Sequence, residues 1–493
     1  MDIMKIKHNL SLFIGLGIVA LILTGCMGPG PANNRTNPPN NQTEQNISEG
    51  VEKTQEEVAL PIPPLIEDTD PSENKTAFEI TAEASSKAFI DGIETDTLGY
   101  NGDYLGPTIK VRRGEEVSAT IANEMDDLTT IHWHGLEVDA EDDGGPHSGI
   151  LPGTSWNPEF TIDQPAATLW YHPHPEKDTG RQVYNGLAGM FIIEDEVTDQ
   201  LPLPKDYGEN DIPLIIQDKR FDQNGNFTYD LQMPDIMTGL MGDTMLVNGA
   251  IAPELDTEQG LMRFRILNGS NARVFELELN NRQSFYQIAS DGGLLEQPVE
   301  MNRLVLGPAE RAEIVIDFSE VDMGESLQLM NEAVPFMTFN VNKEPTPGTE
   351  LPSQLTTIEE IPTSESITTR DFVFQGMGPS VNINGKQFDM DRIDEVVELN
   401  TTEIWEVTND SGMGMMGGTV HPFHAHGVQF QIISRDGNPP PPNETGWKDT
   451  FIVYPGETVR AIARFKHEGV FMYHCHILEH EDAGMMGQFD VRK

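Results

Sequence analysis

Four His-X-His pairs constrain this chain more than any other feature of its sequence. They are His132-Trp133-His134, His172-Pro173-His174, His424-Ala425-His426 and His474-Cys475-His476. In an extended strand successive side chains point to opposite faces, so residues i and i+2 share one. Each pair therefore presents two imidazoles on one side of a strand. Ten of the thirteen histidines fall in these four neighbourhoods, which also hold His421 and His480; only His8, His147 and His467 lie elsewhere. Isolated histidines that merely satisfy a polar contact would not group in this way. Eight imidazoles on four strand ends can supply about three ligands to each of two metal ions and two to a third.

The pairs are part of a larger repetition. HWHG (132–135) is followed by YHPHP (171–175), and HAHG (424–427) by YHCHI (473–477). A turn-and-strand phrase precedes the second member each time: LPGTSWNPEFTI from Leu151 and YPGETVRAIARF from Tyr454. A third copy, LGPAERAEIVIDF from Leu306, has no histidine near it, and none occurs between His174 and His421. Self-similarity on this scale divides the chain into three units, 73–200, 208–345 and 368–493. The second carries no recognisable chemistry and reads as architecture. Linkers are expected near 201–209 and over the Pro/Thr/Ser/Glu-rich stretch 343–369. Alternating runs such as TIKVRRGEEVSATIAN and MRFRILNGS, punctuated by many of the 45 glycines and 34 prolines, predict an all-β protein of sandwiches or barrels.

Cys475 is one of two cysteines. Lying between His474 and His476, it must face away from them. His421 stands an odd step before His424 and can face the same way. His480 and Met485 follow closely enough for a loop to return to the thiol. Two imidazoles, a thiolate and a distant thioether are the ligands of a blue-copper site. One segment would then serve two metal centres, one on each face. The first unit has Pro173 in the place of Cys475 and so has no thiolate. Four imidazoles from the first unit and four from the third place the histidine cluster at their interface, where bound metal would clamp the two units together.

The chain starts with Lys5 and Lys7, an apolar run from Leu10 to Leu23, and Leu23-Thr24-Gly25-Cys26. This pattern predicts an export signal over 1–25, ending in a segment that resembles a bacterial lipobox, with an uncleaved membrane anchor as the alternative. Lipid on Cys26 would tie the protein to the membrane outside the cytoplasm. It would also leave Cys475 without an intramolecular disulfide partner. Residues 26–72, rich in Asn, Pro, Gln, Glu and Thr, predict a disordered tether. The net charge of −49 argues against nucleic acid and anionic lipid headgroups as partners of the folded part.

With these features in hand, the sequence resembles the multicopper oxidases. HWHG, YHPHP, HPFHAHG and HCHILEHEDAGMM match that family's copper motifs in order and kind. HGLEVDAEDDGGP, GDTMLVNG, GWKDT and EHEDAGMM point to its bacterial laccase-like and copper-efflux subgroup. The resemblance implies three cupredoxin-like Greek-key domains and four coppers per chain. His421, Cys475, His480 and Met485 would hold type 1 copper, and His132 and His424 type 2. The type 3 pair would take His134, His172 and His476 on one ion and His174, His426 and His474 on the other. Four one-electron oxidations at type 1 would reduce dioxygen to water at the other three. Asp143 and Glu481 match acidic positions that relay protons in the family. Asp449 in GWKDT matches a substrate-site acid, with Met415 beside it. The reductant is expected to be a phenol, a cuprous ion or another metal ion, and the protein a monomer; a dedicated cuprous oxidase is the alternative. The Met-rich insertion of copper-efflux oxidases has no counterpart around Glu344–Met377. Met233, Met237, Met241 and Met245 recur at helical spacing, although Gly239 and Gly242 weaken that helix.

Overall fold

A computed structural model describes residues 58–70, 72–411 and 418–493. The predicted signal, the predicted lipidation site Cys26, most of the tether, and Met413, Met415 and Met416 lie outside the described residues. The strands fall into three successive sets, and each set closes two sheets over one apolar core. In the first, Phe78, Ile80 and Ile121 from one sheet meet Val111, Trp133 and Phe191 from the other. In the middle set Ile212, Phe264 and Ile314 meet Leu255, Phe275 and Phe339. In the third Phe372, Trp405 and Phe430 meet Phe423, Phe471 and Phe489.

The repetition in sequence is a repetition in topology. Lys75–Ile90 runs parallel to Glu116–Asn123, Asp211–Lys219 to Leu261–Asn268, and Ser366–Gln375 to Thr401–Asn409. A second parallel pair recurs in the facing sheets: Ile109–Arg112 with Gly189–Glu194, Glu254–Glu258 with Val334–Lys343, and Glu395–Glu398 with Met486–Arg492. Strands at the junction of the sets, such as Ala167–His172 and Asp211–Lys219, are buried at every position. Covering both faces of a strand removes the polar alternation that an open sheet would show.

The expectations for the end of the tether and for the methionines are corrected, and the linker expected over 343–369 packs against its neighbours. The tether does not run to residue 72. Ala59 bridges Glu254, Leu65 bridges Thr108, and Leu60 is buried in the middle core. A run containing Pro61, Pro63 and Pro64 loses little conformational entropy on docking, so two bridges suffice to place it. The stretch 343–369 is a packed connector: Leu355 joins Leu203 and Ile288, and Ile361 joins Ile404 and Ile462. The four methionines do not share a helical face. The helix Met233–Thr238 stops at Gly239, whose φ of 85° ends the α conformation, and Met245 lies on the strand Thr244–Val247.

Candidate metal centres

Two antiparallel strand pairings carry the histidines. His132–His134 pairs with Ala167–His172 so that His132 lies opposite His172. His421–Ala425 pairs with Gly469–Cys475 so that His424 lies opposite His474. The two pairings face each other across the junction of the first and third sets, bringing eight imidazoles together, none more than 1% exposed.

Except in His174 and His476, the outer nitrogens are tied to oxygens, and the inner nitrogens converge. Nδ1 of His426 donates to Asp143 Oδ2 at 2.8 Å, and Nδ1 of His474 lies 3.1 Å from Glu481 Oε2. Carboxylates only accept, so these protons sit on Nδ1 and the Nε2 lone pairs are free. The Nε2 atoms of His174 and His426 each lie 3.3 Å from Nε2 of His474. Facing lone pairs repel unless a cation stands between them. The same holds for His134 Nδ1 and His172 Nε2, also 3.3 Å apart, with the His476 ring 5.0 and 5.3 Å from theirs. The buried Nε2 atoms of His132 and His424, and both nitrogens of His476, have no hydrogen-bond partner. Orphaned buried donors and acceptors are costly, and metal ions are the ligands that relieve this set. The residues present thus fit three coppers, although His132 also approaches the His134–His172 and His424–His426 pairs, so the donor groups overlap.

Burial, reinforced by neighbouring imidazoles, pushes His134, His172, His424 and His426 well below the ordinary histidine value. His174 falls to about 4, mainly through burial, and His476 to about 3 through burial and His474. These six imidazoles are therefore neutral at pH 7, the state that binds metal.

Cys475 faces the other way, as strand alternation requires. Its Sγ lies 3.2 Å from His421 Nδ1 and 4.0 Å from His480 Nδ1. The far nitrogens are engaged: His421 Nε2 with Ser411 Oγ at 2.8 Å, and His480 Nε2 with the Met237 carbonyl at 3.2 Å. Met485 is fully buried; its N–H donates to the His480 carbonyl, and its own carbonyl accepts from Cys475 N–H. Burial raises the thiol above its ordinary value, so a bound cation is needed to hold it as thiolate. A type 1 copper would take His421, Cys475 and His480, with Met485 alongside.

Asp143 and Glu481 both stand at the cluster. Asp143 ends a short helix, Ala140–Asp143, and keeps Oδ1 unpaired. Glu481 shares the helix Leu478–Asp482 with His480; consecutive helical positions point in different directions, so one reaches the cysteine and the other His174 and His474. Burial alone would raise the Glu481 carboxyl, but the two imidazoles and the His474 hydrogen bond hold it well below the usual range.

Asp449 is not a substrate-site residue. It is fully buried, ion-paired with Arg311, and 3.1 Å from His134 Nε2, on the cluster side of the strand His421–Ala425 rather than beside Cys475. Its position beside Thr450, which opens a strand paired with His421–Ala425, decides this, and the GWKDT motif alone does not reveal it. The middle unit is also more than architecture, since Arg311 and the Met237 carbonyl both reach the metal centres. No local signal marks Arg311, and the methionine spacing that includes Met237 does not foretell the contact of its carbonyl. Ser411 and Trp170, which stacks on His172 with ring centroids 4.1 Å apart, were equally silent in the sequence.

Sequence profiles of the multicopper oxidase family match residues 82–198 and 356–493. The chain is 40% identical to "Multicopper oxidase mco" of Staphylococcus aureus over 88% of its own length and 92% of that protein's. It is similar in structure to a laccase from Pediococcus acidilactici, with a TM-score of 0.85 and 42% identity, covering 88% of this chain and 94% of that one. It is also similar to a multicopper oxidase from Campylobacter jejuni described as a metallo-oxidase, with a TM-score of 0.78 and 30% identity, covering 89% of this chain and 96% of that one.

Proposed function

This chain belongs to the multicopper oxidase family, and from that premise we propose that its type 1 site takes electrons from phenols and from cuprous ions. It is an oxidoreductase that uses dioxygen as acceptor, built on cupredoxin domains. Copper bound at the two centres supplies the one-electron couples that collect electrons from a reductant and deliver four of them to dioxygen. The peptide His474-Cys475-His476 joins the two ligand sets through covalent bonds. Asp143, hydrogen-bonded to His426, and Glu481, with an oxygen 3.1 Å from His474 Nδ1, are placed to hold and hand on the protons that water formation consumes.

The observation that carries the substrate reading is a small depression at the type 1 ligands. Met237, Met377, Gly418 and Thr419 line it together with His421 and His480. His480 thus lies near the surface, as transfer from a small reductant requires. The two thioethers are soft donors suited to Cu(I). Relatives described as a laccase and as a metallo-oxidase support both substrate classes. Steady-state oxidation of a phenol and of Cu(I) by wild type, Met237→Leu and Met377→Leu tests the reading. Cu(I) turnover should fall about tenfold, roughly 1.4 kcal/mol, while phenol turnover stays within about twofold. Unchanged Cu(I) turnover in both variants would remove the thioethers from the substrate site. Export, lipidation at Cys26 and action as a monomer outside the cytoplasm complete the reading. The signal-like residues 1–26 support the first two, and the mass of the mature N-terminal peptide tests them.

A further inference from the structure

We propose that Arg311, in the histidine-free middle strand set, is a positioning residue of the three-copper cluster: through Asp449 it fixes the proton of His134 on Nε2 and leaves Nδ1 to face the metal. The proposal rests on the copper reading of the cluster.

His134 is inverted relative to its neighbours. His132, His172, His424, His426 and His474 each direct Nδ1 at an oxygen that can only accept: the carbonyls of Asp143, Pro173 and Asp449, the Asp143 carboxylate, and the Cys475 carbonyl. Their protons therefore sit on Nδ1. His134 instead directs Nε2 at Asp449 Oδ1, 3.1 Å away, and at Thr450 Oγ1, 2.9 Å away. Thr450 Oγ1 in turn donates to the same carboxylate oxygen, so the His134 proton must lie on Nε2. Its Nδ1 is then the unprotonated atom facing His172 Nε2.

What holds the carboxylate in place comes from another part of the chain. Arg311 opens the strand Arg311–Asp317 of the middle set and is fully buried. Its two terminal nitrogens donate to the two Asp449 oxygens at 2.7 and 2.6 Å, the fork geometry that fixes a carboxylate in its plane. Nε donates to the Thr168 carbonyl of the first set at 3.0 Å. One side chain thus touches all three strand sets. Gln429 adds a donor to Asp449 Oδ2 at 2.8 Å. Gly135, directly after His134, adopts a φ of 93°, and a Cβ there would lie 2.5 Å from Asp449 Oδ2 and 2.7 Å from Arg311 Nη2. The backbone leaves room for this ion pair and nothing else.

The test compares wild type with Asp449→Asn, Arg311→Lys and a control, Arg265→Lys. Arg265 makes an equally buried fork to Asp211 and reaches Thr168, but touches no histidine. Nitrogen-15 spectra of the metal-free, histidine-labelled protein report which His134 nitrogen is protonated. Wild type and Arg265→Lys should show Nε2–H. Asp449→Asn and Arg311→Lys should show a shift toward Nδ1–H. After copper loading, these two should lose cluster copper and change the paramagnetic resonance signal of the mononuclear ion, while the type 1 absorbance, which requires a folded third set, persists. Nδ1–H in wild type, an unchanged tautomer in both variants, or an equal shift in the control would overturn the proposal. A different metal in the cluster would leave the metal-free spectra untouched, so failure of the copper reading is distinguishable.

Discussion

The two histidine-bearing strand pairings share one frame and differ on one face. In both, the first histidine of one motif lies opposite the first of the other, His132 against His172 and His424 against His474. Both therefore deliver imidazoles to the same junction. Their reverse faces diverge. Behind the first pairing, Trp133 and Tyr171 pack into an apolar core with Phe191. Behind the third, Cys475 meets His421 and His480, and Met485 is buried beside them. Three residues before the pair stands His421 in the third set and Thr129 in the first, where the hydroxyl donates to Gln182. A shared strand period thus fixes the cluster face, while a few substitutions on the opposite face decide whether a second metal site exists.

The largest effect should come from erasing that difference. Cys475→Ser makes the third set resemble the first. It should abolish the blue absorbance and cut turnover more than about 1000-fold, some 4 kcal/mol of transition-state stabilisation. About three coppers per chain should remain, bound by imidazoles. Loss of all copper, measured by elemental analysis, would show that the two faces are not independent. Asp143→Asn probes the shared face alone. Dioxygen reduction followed at an oxygen electrode should slow by about 100-fold or more, the scale of a positioned proton donor, with the blue band retained. Normal turnover would remove Asp143 from proton delivery.

Acid gives a smaller effect per group, on both faces. In the metal-free protein His174 and His480 titrate near 4 and His476 near 3, mainly because of burial, below the ordinary 6.5. As pH falls from 7 to 5, the unfolded chain takes up protons at these positions and the folded one does not. Stability is intact above the unfolded value and declines below it, by about 2 kcal/mol for each such imidazole at pH 5. Melting temperatures of the metal-free protein at the two pH values should record this fall. An unchanged melting temperature would mean that the cluster is hydrated and open.

Much of the site was legible because strand geometry is local. His-X-His pairs, the thiol between two of them, and the odd step to His421 each specify a face without reference to the rest of the chain. The acids beside them were legible for a similar reason: Asp143 and Glu481 lie near ligands in sequence or in the same short helix. Asp449 was misread, because its motif announces a functional residue but not the side of the strand on which its carboxylate ends. Arg311, the Met237 carbonyl and Gln429 were invisible, since none sits in a histidine motif.

The sequence by itself determined an all-β chain with three related units and two opposed faces on one strand, one lined by imidazoles and the other by a thiol. Alternation along an extended backbone is enough for that. Only the tertiary structure decided what stands behind each ligand: Arg311 from the middle set holding Asp449 against His134, and Met237 from the same set against His480. Such contacts join residues far apart in the chain. They exist only once three separate cores have packed and excluded water, which is also what gives a buried ion pair the strength to fix a neighbouring imidazole.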